Sequence, residues 1–124
     1  MAANNLQFTD AYYRNMMESL DGKLTPKYFK NNLPRVLSRL YVMSNSCDYY
    51  NHQTGVTGAE YTRMQGIEAE KELTTILEDG LNLLRQLNLA IKQTENEELK
   101  APYIMYRRML RGQVEHAERT LRSA

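Results

Sequence analysis

The chain has 124 residues, of which 42% are hydrophobic and 25% are charged, and its formal net charge is +1. These values are ordinary for a globular protein, so they argue against a disordered chain and against a global attraction to nucleic acid or an anionic membrane. Cys47 is the single cysteine, which excludes an intrachain disulfide. We expect a small buried thiol, a reducing compartment or a protein indifferent to redox state, and one helical domain over residues 1–124.

The first predicted helix covers roughly residues 9–20 and ends at Asp21-Gly22. Its large side chains come in two adjacent pairs, Tyr12-Tyr13 and Met16-Met17. Adjacent residues on a helix point about 100° apart, so one face of a bundle does not easily bury all four side chains. We therefore predict that Tyr12, Tyr13, Met16 and Met17 form a protein interface.

The second predicted segment covers residues 26–50 and begins at Thr25-Pro26, a capping residue followed by a proline suited to the first turn. We expect it to be broken or kinked at Pro34, because proline lacks an N–H and crowds the preceding turn. Residues 51–58 contain two glycines and are predicted to form a loop. One helical face carries the apolar residues Leu33, Val36, Leu37, Leu40, Met43, Cys47 and Tyr50.

The third predicted helix covers residues 59–92, after a capping-box pattern at Thr57 and Glu60. Gly66 and Gly80 lie inside it and predict a close helix approach or a bend. Leu84 lies in the middle of its apolar stripe, so we expect this side chain to be buried.

The last predicted helix begins near residue 95 or at Pro102 and ends near residue 122, after a second capping-box pattern at Thr94 and Glu97. Leu110 lies in the middle of its stripe, which Met105 and Met109 widen, and is expected to be buried. No part of the chain has the alternation typical of strands. The fold class predicted is therefore all-α, an antiparallel bundle of about four helical segments.

The residues that usually carry chemistry do not form a recognisable site in the sequence. His52 falls in the predicted loop and His116 on the last helix, and neither follows a glutamate by three residues as in di-metal bundles. No phosphate-binding loop or nucleophile turn is present in the sequence. We expect no catalytic residue, no cofactor, no metal and no small-molecule substrate.

The charges divide the chain into three parts. Residues 1–59 carry six basic and four acidic residues, residues 60–98 four and nine, and residues 99–124 six and two. Three explanations account for an acidic third helix and a basic last helix. The two helices are neighbours in one bundle, or they meet across a head-to-tail interface between identical subunits, or the last helix forms a nucleic-acid patch. Arginine contacts phosphate and tyrosine stacks on bases, so the patch would comprise Arg107, Arg108, Arg111, Tyr103 and Tyr106.

The functional expectation is a non-enzymatic structural, assembly or adaptor protein that binds copies of itself or another protein through helical contacts. Small helical proteins of this type are components of larger assemblies, including virus and phage particles, and this step is an analogy. The alternative is a small nucleic-acid-binding or regulatory protein that uses the basic last helix. We expect a cytoplasmic or otherwise intracellular chain without membrane contact, since the sequence has no signal-peptide pattern and no long apolar run.

Overall fold

The computed structural model describes residues 24–57 and 60–123, and it describes side chains for residues 24–53 and 63–123. These residues form three α-helices and no β-strand. Helix α1 spans Pro26–Thr57, α2 spans Glu60–Gln93 and α3 spans Glu97–Ser123. The all-α class is confirmed, while the predicted first helix over residues 9–20 lies outside the described residues.

Helix α1 begins as the sequence predicts, because the Thr25 hydroxyl oxygen accepts a hydrogen bond from the Tyr28 backbone N–H at 3.2 Å. The predicted break at Pro34 is wrong, since α1 continues through this residue. The carbonyl of Lys30 loses its helical partner there, but Lys30 and Pro34 are both exposed, so water can satisfy it. Leu33, beside the proline, is buried and holds the helix against the core.

The predicted loop over residues 51–58 is also wrong for residues 51–57, because α1 continues to Thr57. A single helical glycine costs only about 1 kcal/mol, which is too little to end a long, well-packed helix. Residues 58–59, which join α1 to α2, lie outside the described residues, as do the side chains of the predicted Thr57–Glu60 capping box.

Helix α3 starts at Glu97, before Pro102, and its capping residue is Asn96. The side-chain oxygen of Asn96 accepts a hydrogen bond from the Glu98 N–H at 2.8 Å. The predicted capping box at Thr94 and Glu97 is therefore wrong. The Thr94 hydroxyl instead donates to the Ala90 carbonyl at 2.7 Å, so Thr94 finishes α2 rather than starting α3.

Contacts between the helices fix their directions. Arg39 near the middle of α1 meets Glu72 of α2, and Tyr28 at the start of α1 meets Gln86 of α2, so these two helices are antiparallel. Helix α1 is parallel to α3, because Phe29 packs on Tyr103 near their starts and Asp48 approaches His116 further along both. The described residues therefore form an up-down-up arrangement of three helices around one core.

The core lies along the common axis of the three helices. Leu110 has no exposed surface and Leu84 has 9%, so both predicted core leucines are confirmed as buried. A Cβ atom added at Gly80 would lie 3.2 Å from Leu40 Cδ1 and 3.2 Å from Val114 Cγ2. Gly80 therefore sits where α2 approaches both other helices closely, as one of the two sequence expectations for this glycine states.

Candidate functional site

The thiol of Cys47 is the most nucleophilic kind of side chain in the described residues. The structure holds it in an unreactive form. Cys47 has no exposed surface. Burial, followed by the negative charges of Glu70 and Asp48, raises the pKa of this thiol from 9.0 to about 11. Reactive cysteines have a lowered pKa instead, so Cys47 acts as a small apolar core residue.

Ser44, one turn before Cys47, is also fully buried, and its hydroxyl has no hydrogen-bond partner among the described residues. His116 of α3 faces this part of α1, and its Nε2 lies 3.9 Å from Asp48 Oδ2. The side chains of His116 and Asp48 are 39% and 52% exposed, so their contact at the protein surface is weak. The arrangement gives neither Ser44 nor Cys47 an activating base.

Residues 24–57 and 60–123 contain neither a candidate metal centre nor a candidate membrane span. They contain no group of three or more histidine, cysteine or acidic side chains that could hold a metal ion. Within the same residues, none of the helices combines the length and apolar character that crossing a membrane requires.

The predicted nucleic-acid patch is divided by the structure. Arg108 and Arg111 are exposed on the outer side of α3, and Arg107 donates a hydrogen bond to Asn88 Oδ1 of α2 at 3.0 Å. These arginines line a shallow depression of about 380 Å³ together with Ile104, Gly112 and Glu115. The arginines thus share one surface, to which Glu115 adds a negative charge.

The two tyrosines predicted for that patch pack wholly or partly against the interior instead. Tyr103 is buried, its ring packs edge-on against Phe29 at 5.7 Å, and its hydroxyl donates to the Leu24 carbonyl at 2.9 Å. Burial also raises the pKa of Tyr103. Tyr106 is half-buried against the core. The buried ring of Tyr103 is therefore not available to stack on a base beside Arg108 and Arg111.

Basic side chains of α1 pair with acidic side chains of α2. Arg35 lies 3.4 Å from Asp79 and Arg39 lies 3.0 Å from Glu72. All four side chains are about half exposed or more, so each pair contributes under about 1 kcal/mol. Charge complementarity within one chain therefore occurs between α1 and α2, whereas Arg107 of the basic α3 meets the neutral amide of Asn88.

Exposed apolar side chains gather where α1 and α3 run side by side. Asp48 and His116 face each other across this boundary. Tyr41 and Met109 lie seven residues before them on the two parallel helices. Seven residues are nearly two full turns, so Tyr41 and Met109 lie at one level and point toward the same boundary. Tyr41 is 56% exposed and Met109 is 49% exposed.

A neighbouring residue enlarges this surface. Met105 lies one turn before Met109 on α3 and is 52% exposed. We call this set the seam patch, and it consists of Tyr41, Met105 and Met109. The expectation that the two methionines widen the buried stripe of the last helix is wrong, because both are about half exposed.

The seam patch was not predicted from the sequence. Tyr41 lies off the apolar stripe of α1, which was a signal that it points away from the core. The interface residues that were predicted, Tyr12, Tyr13, Met16 and Met17, lie outside the described residues and stay a prediction.

Comparison with known proteins identifies no relative of this chain. No protein-family model matches the chain, and neither the curated proteins nor the solved structures contain a match.

Proposed function

We propose that this chain is a non-enzymatic assembly or adaptor protein that binds another protein chain, a second copy or a different component, through helical surfaces. The seam patch is the observation that carries this proposal. It brings three exposed apolar side chains from two helices onto one surface. Contiguous exposed apolar surface is typical of contact sites, and tyrosine and methionine are enriched in them.

The inert state of Cys47 supports a non-enzymatic role. A buried thiol with a raised pKa is protonated at neutral pH, and Ser44 beside it has no base within the described residues. The predicted helical segment over residues 9–20, the fourth of the bundle, belongs to the same proposal as a further contact surface. A structural component of a larger particle, such as a virion, is one setting for such contacts, by analogy with other small helical proteins.

Sedimentation velocity across a wide concentration range tests the proposal. We expect association of the native chain with itself, or co-sedimentation with a partner captured from its source. The double variant Tyr41→Ser, Met109→Gln should weaken that association about tenfold or more, since central apolar side chains dominate interfaces. A chain that stays monomeric and captures no partner would refute the proposal.

The matched control is the double variant Met64→Gln, Ile67→Gln. Both residues lie on α2 and are exposed, Met64 by 54% and Ile67 by 40%, so their apolar surface resembles that of the seam patch. We expect this control to associate as the native chain does. If both double variants weaken association equally, the contact is not specific to the seam patch.

A second function has one observation in its favour, which is the shared surface of Arg107, Arg108 and Arg111 on α3. Under this alternative, the chain binds phosphates of nucleic acid or acts as a regulatory protein through that surface. Changing the three arginines to glutamine should then weaken binding to mixed DNA and RNA and flatten its salt dependence. Lack of binding by the native chain at low salt would remove this alternative.

A further inference from the structure

Polar residues stand at both ends of the boundary on which the seam patch lies. On α1, Lys30 and Asp48 are 18 residues apart, which is five full helical turns, so their side chains point in the same direction. On α3, Glu98 and His116 are also 18 residues apart. Asp48 faces His116 at one end of the boundary, so Lys30 and Glu98 lie at its other end, about 27 Å away. We call these four residues and the seam patch between them the seam face.

The four end residues are accessible and alternate in character. Lys30 and Glu98 are exposed, and neither forms an ion pair with another described residue. Asp48 is exposed and His116 is partly exposed. Each helix therefore presents a donor of hydrogen bonds at one end of the seam face and a carboxylate at the other, and the order on α3 is the reverse of that on α1.

Such a face is complementary to itself under a twofold axis. An axis that crosses both helices at right angles places a second copy antiparallel on the first. On α1 this axis passes residue 39, the midpoint of residues 30 and 48. Lys30 then lies opposite Asp48 of the second copy, and because the axis is twofold, this contact occurs twice.

The same axis suits α3. It passes residue 107, the midpoint of residues 98 and 116, which is also midway between Met105 and Met109. Each of these methionines then lies opposite the other in the second copy, and Glu98 lies opposite His116, whose imidazole can donate a hydrogen bond to it. Tyr41, two residues from the axis on α1, completes an apolar centre between the charged ends.

One axis serves both helices because their register allows it. Residues 39 and 107 are 68 positions apart, as are Asp48 and His116, which face each other across the boundary. A second twofold axis, parallel to the bundle, would instead place α1 on α3 of the other copy with all helices parallel. Helix dipoles favour the antiparallel arrangement, because it places the start of each helix against the end of its counterpart.

We propose that the seam face binds a second copy of this chain in an antiparallel twofold dimer. The inference rests on the proposed assembly function and names the occupant of its surface. The face measures about 27 Å by the width of two helices, roughly 20 Å, which gives a footprint of roughly 500 Å² per copy. The total of roughly 1,000 Å² is at the lower end for specific interfaces, so the dimer dissociates in the micromolar range.

Charge reversal, measured by sedimentation equilibrium of the full chain, tests the dimer. Lys30→Glu should weaken dimerisation about tenfold, because it turns two attractive contacts into repulsive ones. Adding Asp48→Lys should restore the native dissociation constant to within about threefold. Positions 30 and 48 are about 27 Å apart within one chain, well beyond the Debye length of about 10 Å at 0.1 M salt, so this rescue can arise only between copies.

Lys92→Glu is the matched control, since it makes the same charge change at an exposed residue of α2. This variant should dimerise as the native chain does. All the substituted residues are exposed, so circular dichroism should show a preserved fold in each variant. Equal weakening by Lys92→Glu and Lys30→Glu would overturn the proposal, and so would rescue of Lys30→Glu by Glu98→Lys in place of Asp48→Lys.

The outcomes separate this inference from the proposed function. If the native chain dimerises and Lys30→Glu has no effect, the antiparallel dimer is overturned and the assembly function stands. The same holds if the native chain stays monomeric but binds a different protein. A native chain that neither dimerises nor binds another protein refutes both.

Discussion

Replacing Gly80 with alanine sets two effects of known size against each other. Alanine in a helix interior is favoured over glycine by about 0.8–1.0 kcal/mol, because it restricts the unfolded chain and pays less backbone entropy. Against this, the new methyl group would lie 3.2 Å from both Leu40 Cδ1 and Val114 Cγ2 and 3.7 Å from Val36 Cγ1. Optimal carbon contacts are 3.5–4.0 Å, so the added group crowds two helices at once.

Adding volume to a packed core typically costs about 1–3 kcal/mol. Leu40 is fully buried and Val114 is 2% exposed, so neither has free surface into which it can move. We therefore expect Gly80→Ala to lower the free energy of unfolding by about 0–2 kcal/mol, once the gain from helix propensity is subtracted. For a chain of this size, each kcal/mol corresponds to about 4 °C in Tm.

Gly112→Ala is the matched control, because a Cβ atom added there has nothing within 4 Å. This variant should gain the full propensity term and be about 1 kcal/mol more stable than the native chain. Urea denaturation followed by circular dichroism gives both values, and the difference between the two variants isolates the packing cost. If Gly80→Ala stabilises the chain as much as Gly112→Ala does, the close approach of the three helices at Gly80 is refuted.

Three further predictions concern stability. Leu110→Ala should cost about 3–5 kcal/mol and Leu84→Ala nearer 2–3 kcal/mol, because only Leu84 keeps exposed surface; equal losses in urea denaturation would contradict this order. The free energy of unfolding should fall as the pH rises from about 9 to about 11, because the Cys47 thiol ionises first in the unfolded chain and its folded pKa is about 11. A Cys47→Ala variant measured in parallel should lack this part of the decline, and superimposable pH curves would disprove the assignment. Asn96→Ala should cost about 1 kcal/mol through the lost cap, and Thr94→Ala clearly less; the reverse order in thermal unfolding would restore Thr94 as the cap.

The apolar stripes could be predicted from the sequence because burial on a helix follows its own period. Leu33, Val36 and Leu40 lie in the core as their spacing indicates. The helix ends were harder, because proline and glycine act locally whereas tertiary packing acts across the whole helix. Pro34 does not break α1, since it and the Lys30 carbonyl face water while its neighbour Leu33 faces the core. The side of a helix that faces water follows from the packing of the bundle, which the local sequence does not reveal.

The seam patch was beyond prediction for a related reason. Tyr41 and Met109 are 68 residues apart in the chain. They share a surface only because α1 and α3 are parallel and packed in the register that pairs Asp48 with His116. Helical periodicity within one segment gives the direction of each side chain but not the register between two segments. The same limit explains why Tyr103 was expected beside the arginines, since its burial depends on Phe29 and Leu24 of the far end of the chain.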